Sequence, residues 1–464
     1  MSSVQGMSFF SSLFILAFCT NFKPGRPGRI LVPGPPLGSR WRLVNKVATE
    51  LSRAGHDVTM LVPDGMEDNI RDIENFSLLL TSHPEAVRYY RERLNKRLSI
   101  ALNAVRFLPE DVYSALSYVV DHAELYELLA SECEATFQQG LLNGSRFDLV
   151  LSDFLSPCAV ILARHLHVPV VSVARGTAGG YDLWAAGVPA PAAYIPQLGL
   201  ALTDDMSFVQ RLENFVVQLV TSALTGSMLL RPFDDIARKR TGLSIRDLLA
   251  GTDLWLRHTD PLFEAPRPRM PNMVYIGGIS ASPAEPLTQE LEEALARVRG
   301  ENIAVVTFGS MVDQFDAHLA EVLSTALSRL PYKVVWRYRG PTPRTLGNNT
   351  VLLPWLPQND LLGDPRTRLF VTHGGASGVQ EALFHGVPLV GVPLFRDQFT
   401  NMARVESLGS GRAVPLGGLT ADRLYRALQD VTSNQTYGSQ TKPDACPACT
   451  GTNPCSAPCG GSVT

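Results

Sequence analysis

No stretch of this 464-residue chain offers the roughly 18 continuous apolar residues of a membrane-spanning helix. Charge of one sign is not massed either. The formal net charge is −3 and the basic residues are scattered, which excludes a polyanion-binding stripe. Neither G-x-G-x-x-G nor the G-x-x-x-x-G-K-S/T phosphate loop occurs, which argues against a dinucleotide or ATP as ligand. Cysteine is sparse in the body of the chain, where only Cys133 and Cys158 stand. Four more crowd into "CPACTGTNPCSAPC" near the end. Cys446-x2-Cys449 has the spacing of half a zinc site, but Pro, Gly, Ser and Thr around it supply no element to hold a second half. No metal site is expected, and 438–464 reads as a disordered Cys/Pro-rich tail.

What is present begins with "MSFFSSLFILAFCTNF". Its apolar core, Phe9 to Phe18, has the length of a signal-peptide core, so 1–20 reads as a signal peptide. The sequons at Asn75, Asn143, Asn348 and Asn434 fit a lumenal route for a glycoprotein, and the mature chain reads as soluble. "GRILVPGPPLGSRWRLVNKVATELSRAGHDVTML" follows. A short β-rich run precedes Trp41, Val44, Val47, Ala48 and Leu51 at helical spacing, Gly55 ends the helix, and Val58 to Val62 form the next strand. This β-α-β unit recurs at "FDLVLSDFLSPCAVILARHLHVPVVSV". The stretches 85–140 and 205–250 read as mainly helical.

The second half alternates more cleanly. "IAVVTFG", "KVVWRY", "TVLLPW", "RLFVTH" and "PLVGVPL" are strands with helices between them. Runs of Val, Leu and Phe that do not alternate with polar residues belong to parallel sheets covered on both faces. Polar, Pro-bearing 280–300 is the candidate linker. The fold class is therefore α/β, as two doubly wound Rossmann-like domains facing each other across a cleft: an N-terminal domain over 24–280 and a C-terminal domain over 281–437.

Ligands of such sheets sit where strands end and helices begin. "THGGASG" follows a strand and opens a helix, so its backbone N–H groups suit a phosphate, with His373 adding a hydrogen bond. Glu381, eight residues on, suits a ribose diol; Trp355 suits a flat base; Asp397 and Gln398 suit a hexose. Each alone has a plainer reading: Trp355 as core, Glu381 as a solvated helix face. Together they describe a nucleoside diphosphate sugar.

"WLPQNDLLG", "THGG", "EALFHGVPLVGVPLF" and "DQ", spaced without a gap between Trp355 and Gln398, resemble the signature of the UDP-glycosyltransferases, the vertebrate microsomal kind that includes the UDP-glucuronosyltransferases. The likeness extends through "VTFGSMV", "VVWRY", "PNMVYIGGI" and "APAAYIPQLGLALTDDMSFVQRLENF" to "GSRW…AGHDVTML", about 25 to 437. It implies the two-domain GT-B architecture, with UDP-sugar as co-substrate in the C-terminal domain and a small lipophilic acceptor in the N-terminal one. No other cofactor and no nucleic acid are implied. Trp355 and Gln358 would meet uracil and ribose, and Glu381 the ribose hydroxyls. Ser310, His373, Gly375 and Gly378 would meet the diphosphate, with Arg337 near the nucleotide, while Asp397 and Gln398 would hold the sugar. Ser377 stands where many relatives carry Asn. The implied location is the endoplasmic reticulum lumen, with homo- or hetero-oligomers of relatives as partners.

Two departures matter. Relatives take the acceptor's proton with a His in a "GSHW"-like stretch, supported by an Asp that Asp153 matches; here the His position is Arg40. Arginine keeps its proton and cannot be that base. His56, in a helix-to-strand turn, reads as structural. Relatives also continue past "DVTSNQTY" into helices that cross back to the N-terminal domain and a membrane span. The match stops near Tyr437, so an interdomain interface and an anchor are expected to be missing.

Overall fold

The computed structural model describes residues 26–34, 38–65, 76–84, 109–154, 156–175, 185–310, 312–434 and 437. The signal-peptide, Cys446/Cys449 and tail readings lie outside them. Two parallel sheets carry the fold. The first contains β1 (Arg29–Pro33), β2 (Asp57–Pro63), β3 (Phe76–Thr81), β4 (Leu149–Asp153), β5 (Val170–Arg175), β6 (Leu254–His258) and β7 (Met273–Tyr275), in the order β3-β2-β1-β4-β5-β6-β7. The second contains β8 (Ile303–Thr307), β9 (Lys333–Arg337), β10 (Thr350–Leu353), β11 (Thr367–Thr372), β12 (Leu389–Gly391) and β13 (Gly411–Ala413), in the order β10-β9-β8-β11-β12-β13. Strand order reverses between β1 and β4 in one sheet and between β8 and β11 in the other. Each reversal opens a crevice at the strands' carboxyl ends.

The strands are parallel because helices return the chain over each face. Helix α1 (Gly38–Arg53) buries Trp41, Val44, Val47, Ala48 and Leu51 against β1, β2 and β4. Each such aliphatic burial contributes about 1.5–3 kcal/mol. The helix ends where Gly55 takes a φ of 92°, a conformation closed to most side chains. His56 then accepts a hydrogen bond from the Gly28 N–H at 3.1 Å, a structural role.

The long helix α2 (Glu110–Gln138) is tied to α3 (Cys158–Leu166) by a disulfide between Cys133 and Cys158. Beyond β5 come α4 (Phe208–Leu224), a π-helical turn, α5 (Arg231–Thr241) and α6 (Ile245–Ala250). Asn214 on α4 is buried and fastens the preceding loop, accepting from the Gln197 N–H at 2.6 Å and donating to Ala192 and Ile195.

The second domain adds α7 (Gln289–Ala296), α8 (Ala317–Ser328), α9 (Gln358–Gly363), α10 (Ala376–His385), α11 (Asp397–Ser407) and α12 (Ala421–Ser433). Helix α7 corrects the reading of 280–300 as a linker throughout. Its Leu291 and Leu295, one turn apart, are buried in the second domain's core.

The expected absence of an interdomain interface is also corrected. Glu110 of α2 accepts from the backbone N–H groups of Leu416, at 3.2 Å, and Gly417. One turn on, Ser114 Oγ accepts from the Arg396 N–H at 2.5 Å, and two turns further His122 Nε2 meets the Arg396 guanidinium. Arg396 has a φ of 62°, a strained conformation held by bonds from the other domain. Thr400 of α11 donates to the Leu200 carbonyl at 2.9 Å, and Arg404 donates to that of Phe263 at 2.6 Å. On α10, Gln380 donates to the His258 carbonyl at 3.1 Å. Among the described residues no helix is long and apolar enough to cross a membrane.

Candidate functional site

The crevice of the second sheet lies between the loop after β8, with Gly309 and Ser310, and the loop after β11, with His373, Gly374 and Gly375. These loops touch. A Cβ built on Gly309 or Gly375 would stand 2.6 or 2.7 Å from His373 Nε2, so glycine at both places lets the imidazole lie between two backbones. Gly309 also takes a φ of 80°. Gly375 caps α10, and the first N–H groups of that helix belong to Ala376, Ser377 and Gly378. Helix dipole, free backbone donors and a neighbouring imidazole together make an anion cradle.

Arg337, at the end of β9, is buried and spends its guanidinium on the cradle's frame. It donates to the Gly309 carbonyl and approaches that of Ser310 at 3.5 Å, with Asp313 at 3.7 Å. The same guanidinium lies 5.0 Å from the centre of the Trp355 ring. Trp355 follows β10 and is 51 % exposed, which removes the core-packing reading. A large aromatic left half open beside an anion cradle is a stacking platform.

Gln358 opens α9 and donates to Glu381 Oε2 at 2.6 Å. Gly378 eases that approach, since a side chain there would put a Cβ in tight contact, 3.3 Å from Gln358 Nε2. Burial pushes the Glu381 carboxyl up to about 7, against the opposing pull of Gln358, Lys46 and Arg42. Burial in turn lowers the Lys46 ammonium from its usual range, with Glu381 resisting.

Trp355, Gln358, Glu381, His373, Ser310, Arg337, Gly375, Ser377 and Gly378 thus gather at the carboxyl ends of β8 to β11. Asp397 and Gln398 head α11 at the neighbouring strand end. Asp397 Oδ2 accepts from Asn401 at 3.1 Å. Gln398 is buried, and its oxygen accepts from the N–H groups of Leu394 and Phe395 at 2.8 and 3.0 Å, so its carbonyl shapes the turn after β12.

In the first domain Asp153 ends β4, and Arg40 lies in the first turn of α1, which follows the neighbouring strand β1. Both therefore flank the first sheet's crevice. Two side chains reach the second domain's site without having been singled out from the sequence, Arg42 and Lys46. Their only local signal is spacing, on the face of α1 opposite Val44 and Val47. Among the described residues no group of three His, Cys, Asp or Glu side chains could hold a metal ion.

The chain is similar to several known proteins. The rabbit (Oryctolagus cuniculus) UDP-glucuronosyltransferase 2C1 is 36% identical over 416 residues, covering 86% of this chain and 81% of the relative. The mouse (Mus musculus) 2-hydroxyacylsphingosine 1-beta-galactosyltransferase is 34% identical, covering 88% and 74%. Among solved structures, the glycotransferase of kitacinnamycin superposes with a TM-score of 0.61 at 20% identity, covering 90% of this chain and 94% of that one. The calicheamicin glycosyltransferase CalG4 gives 0.55 at 18%, covering 90% and 94%. These likenesses establish the GT-B fold. Residues 28–441 match the family described as UDP-glucoronosyl and UDP-glucosyl transferase, and the chain belongs to that family.

Proposed function

We propose that the protein transfers a hexose, glucuronic acid or another, from UDP to small lipophilic alcohols, phenols or acids, with inversion at the anomeric carbon. The observation that carries this reading is the exposed indole of Trp355, the Gln358–Glu381 pair and the His373 cradle grouped at one sheet's switch point. The base stacks on the indole, the ribose diol donates to Glu381, and the diphosphate lies on the α10 N-terminus beside His373. Asp397 and Gln398 face the sugar. UDP-sugar is a co-substrate, and no cofactor is required. The relatives' names include both a glucuronosyl and a galactosyl enzyme, so the sugar is left as a hexose.

On the acceptor side, Asp153 is the residue placed to orient or deprotonate an acceptor hydroxyl. The disulfide between Cys133 and Cys158 supports a lumenal, oxidising compartment, the endoplasmic reticulum. Asn143, Asn348 and Asn434 are all exposed, as glycosylated asparagines must be.

Arg40 favours a second reading: a catalytically impaired UDP-sugar-binding lumenal protein that partners full-length relatives. Losing a positioned base costs about 10²- to 10⁴-fold in rate. Transfer from UDP-glucose and UDP-glucuronate to a panel of phenols, wild type against Arg40→His, separates the two. Brisk wild-type turnover supports the first; turnover seen only in the variant supports the second.

A further inference from the structure

Helix α1 belongs to the first domain, yet one of its faces looks into the second domain's site. Arg42 and Lys46 stand one turn apart on it and so share a face. Trp41, Val44 and Val47 turn the other way, into the core. The Arg42 guanidinium carbon lies 4.9 Å from the centre of the Trp355 ring, 313 residues along the chain. Lys46, four residues on, acts electrostatically on Glu381, and so does Arg42. Arg42 therefore sits against the indole that the proposed donor's base would use, and both cations bias the carboxylate that its ribose would use.

A guanidinium at this distance from a ring is in full cation–π contact, and a base cannot stack between them. Arg337 lies 5.0 Å from the same ring but is held by the Gly309 and Ser310 carbonyls, so Arg42 is the guanidinium that yields the indole to a base. We propose that Arg42 is a gate on the nucleotide site: it covers the indole surface that a stacked base requires, and the base enters by displacing it. Displaced, the guanidinium still lies beside an anionic ligand, so a diphosphate recovers in charge attraction what a neutral nucleoside does not. The gate therefore selects for the charged donor over uridine. It also makes donor affinity depend on a residue of the acceptor domain. This inference rests on the reading of Trp355 as the base platform.

The test is calorimetric titration of UDP, with uridine measured by its displacement of UDP, on wild type, Arg42→Ala, Trp355→Ala and the double variant. Arg42 is exposed, so its truncation leaves the core intact. An exposed cation–π contact is worth a factor of about two to five. Arg42→Ala is expected to tighten uridine by that factor and UDP by less, and the gain should vanish when Trp355 is also alanine. Uridine bound equally or more weakly by Arg42→Ala, or a gain that persists without Trp355, overturns the gate while leaving the donor site standing. No binding of either compound by wild type or Arg42→Ala overturns the donor site and the gate with it.

Discussion

Glu381 gives the sharpest handle on the donor site, because the proposed ribose contact needs its charge. An ionised carboxylate accepts from two hydroxyl groups at once, and a protonated one does not. Burial has moved its half-titration to about 7, from an ordinary 4.5. About a tenth of the molecules are then ionised at pH 6 and about nine-tenths at pH 8. If only the ionised form holds the ribose, the affinity for UDP-glucose rises about tenfold between those limits. UDP-glucose suits the measurement because its diphosphate is fully ionised throughout. The informative quantity is the ratio of wild-type to Glu381→Gln affinity at each pH, in which the contributions of all other groups cancel. That ratio should climb through pH 7 in isothermal titration. The unliganded fold has the opposite dependence. With the folded pKa raised, the stability contributed by Glu381 is full below about pH 4.5 and is lost as pH rises through about 7. Glu381→Gln should therefore flatten a decline in thermal midpoint over that range. An affinity ratio that stays level from pH 6 to pH 8 would refute the assignment of Glu381 to the ribose.

Three further outcomes are expected. Trp355→Ala should weaken UDP by about 5- to 150-fold, the worth of one stacked base, measured by titration; retained affinity would return the indole to a packing role. Replacing Cys133 and Cys158 by alanine opens a loop with a sequence separation of 25. That costs about 3.5 kcal/mol on the chain-entropy argument and roughly 7–14 °C in a calorimetric melt. An unmoved midpoint would mean that the cross-link constrains nothing. Arg40→His should raise kcat/KM on phenols by about 10²-fold if the position lacks only its base, and unchanged kinetics would exonerate arginine there.

The sequence announced some of this better than the rest. β8 and β11 were readable because "IAVVT" and the buried run ending in "FVT" sit at the middle of a covered sheet, where every position but the closing threonine is apolar. β7 was not, being only Met273–Tyr275 at a sheet edge. Helix α7 hid inside a charged stretch because just two leucines face its core. Trp355, His373 and Glu381 were legible as a group because one continuous segment passes through three successive strand ends. The contacts of Arg42 with Trp355, and of Glu110 with Gly417, join residues some three hundred apart, and no local pattern encodes them. Nor does spacing alone pair Cys133 with Cys158; only the packing of α2 on α3 brings the sulfurs together.

Glu110, Ser114 and His122 do more than fasten one helix to a neighbouring domain. With Thr400, Arg404 and Gln380 they tie the two domains at several separate points, so an opening of the cleft must break hydrogen bonds contributed by three different helices of the structure.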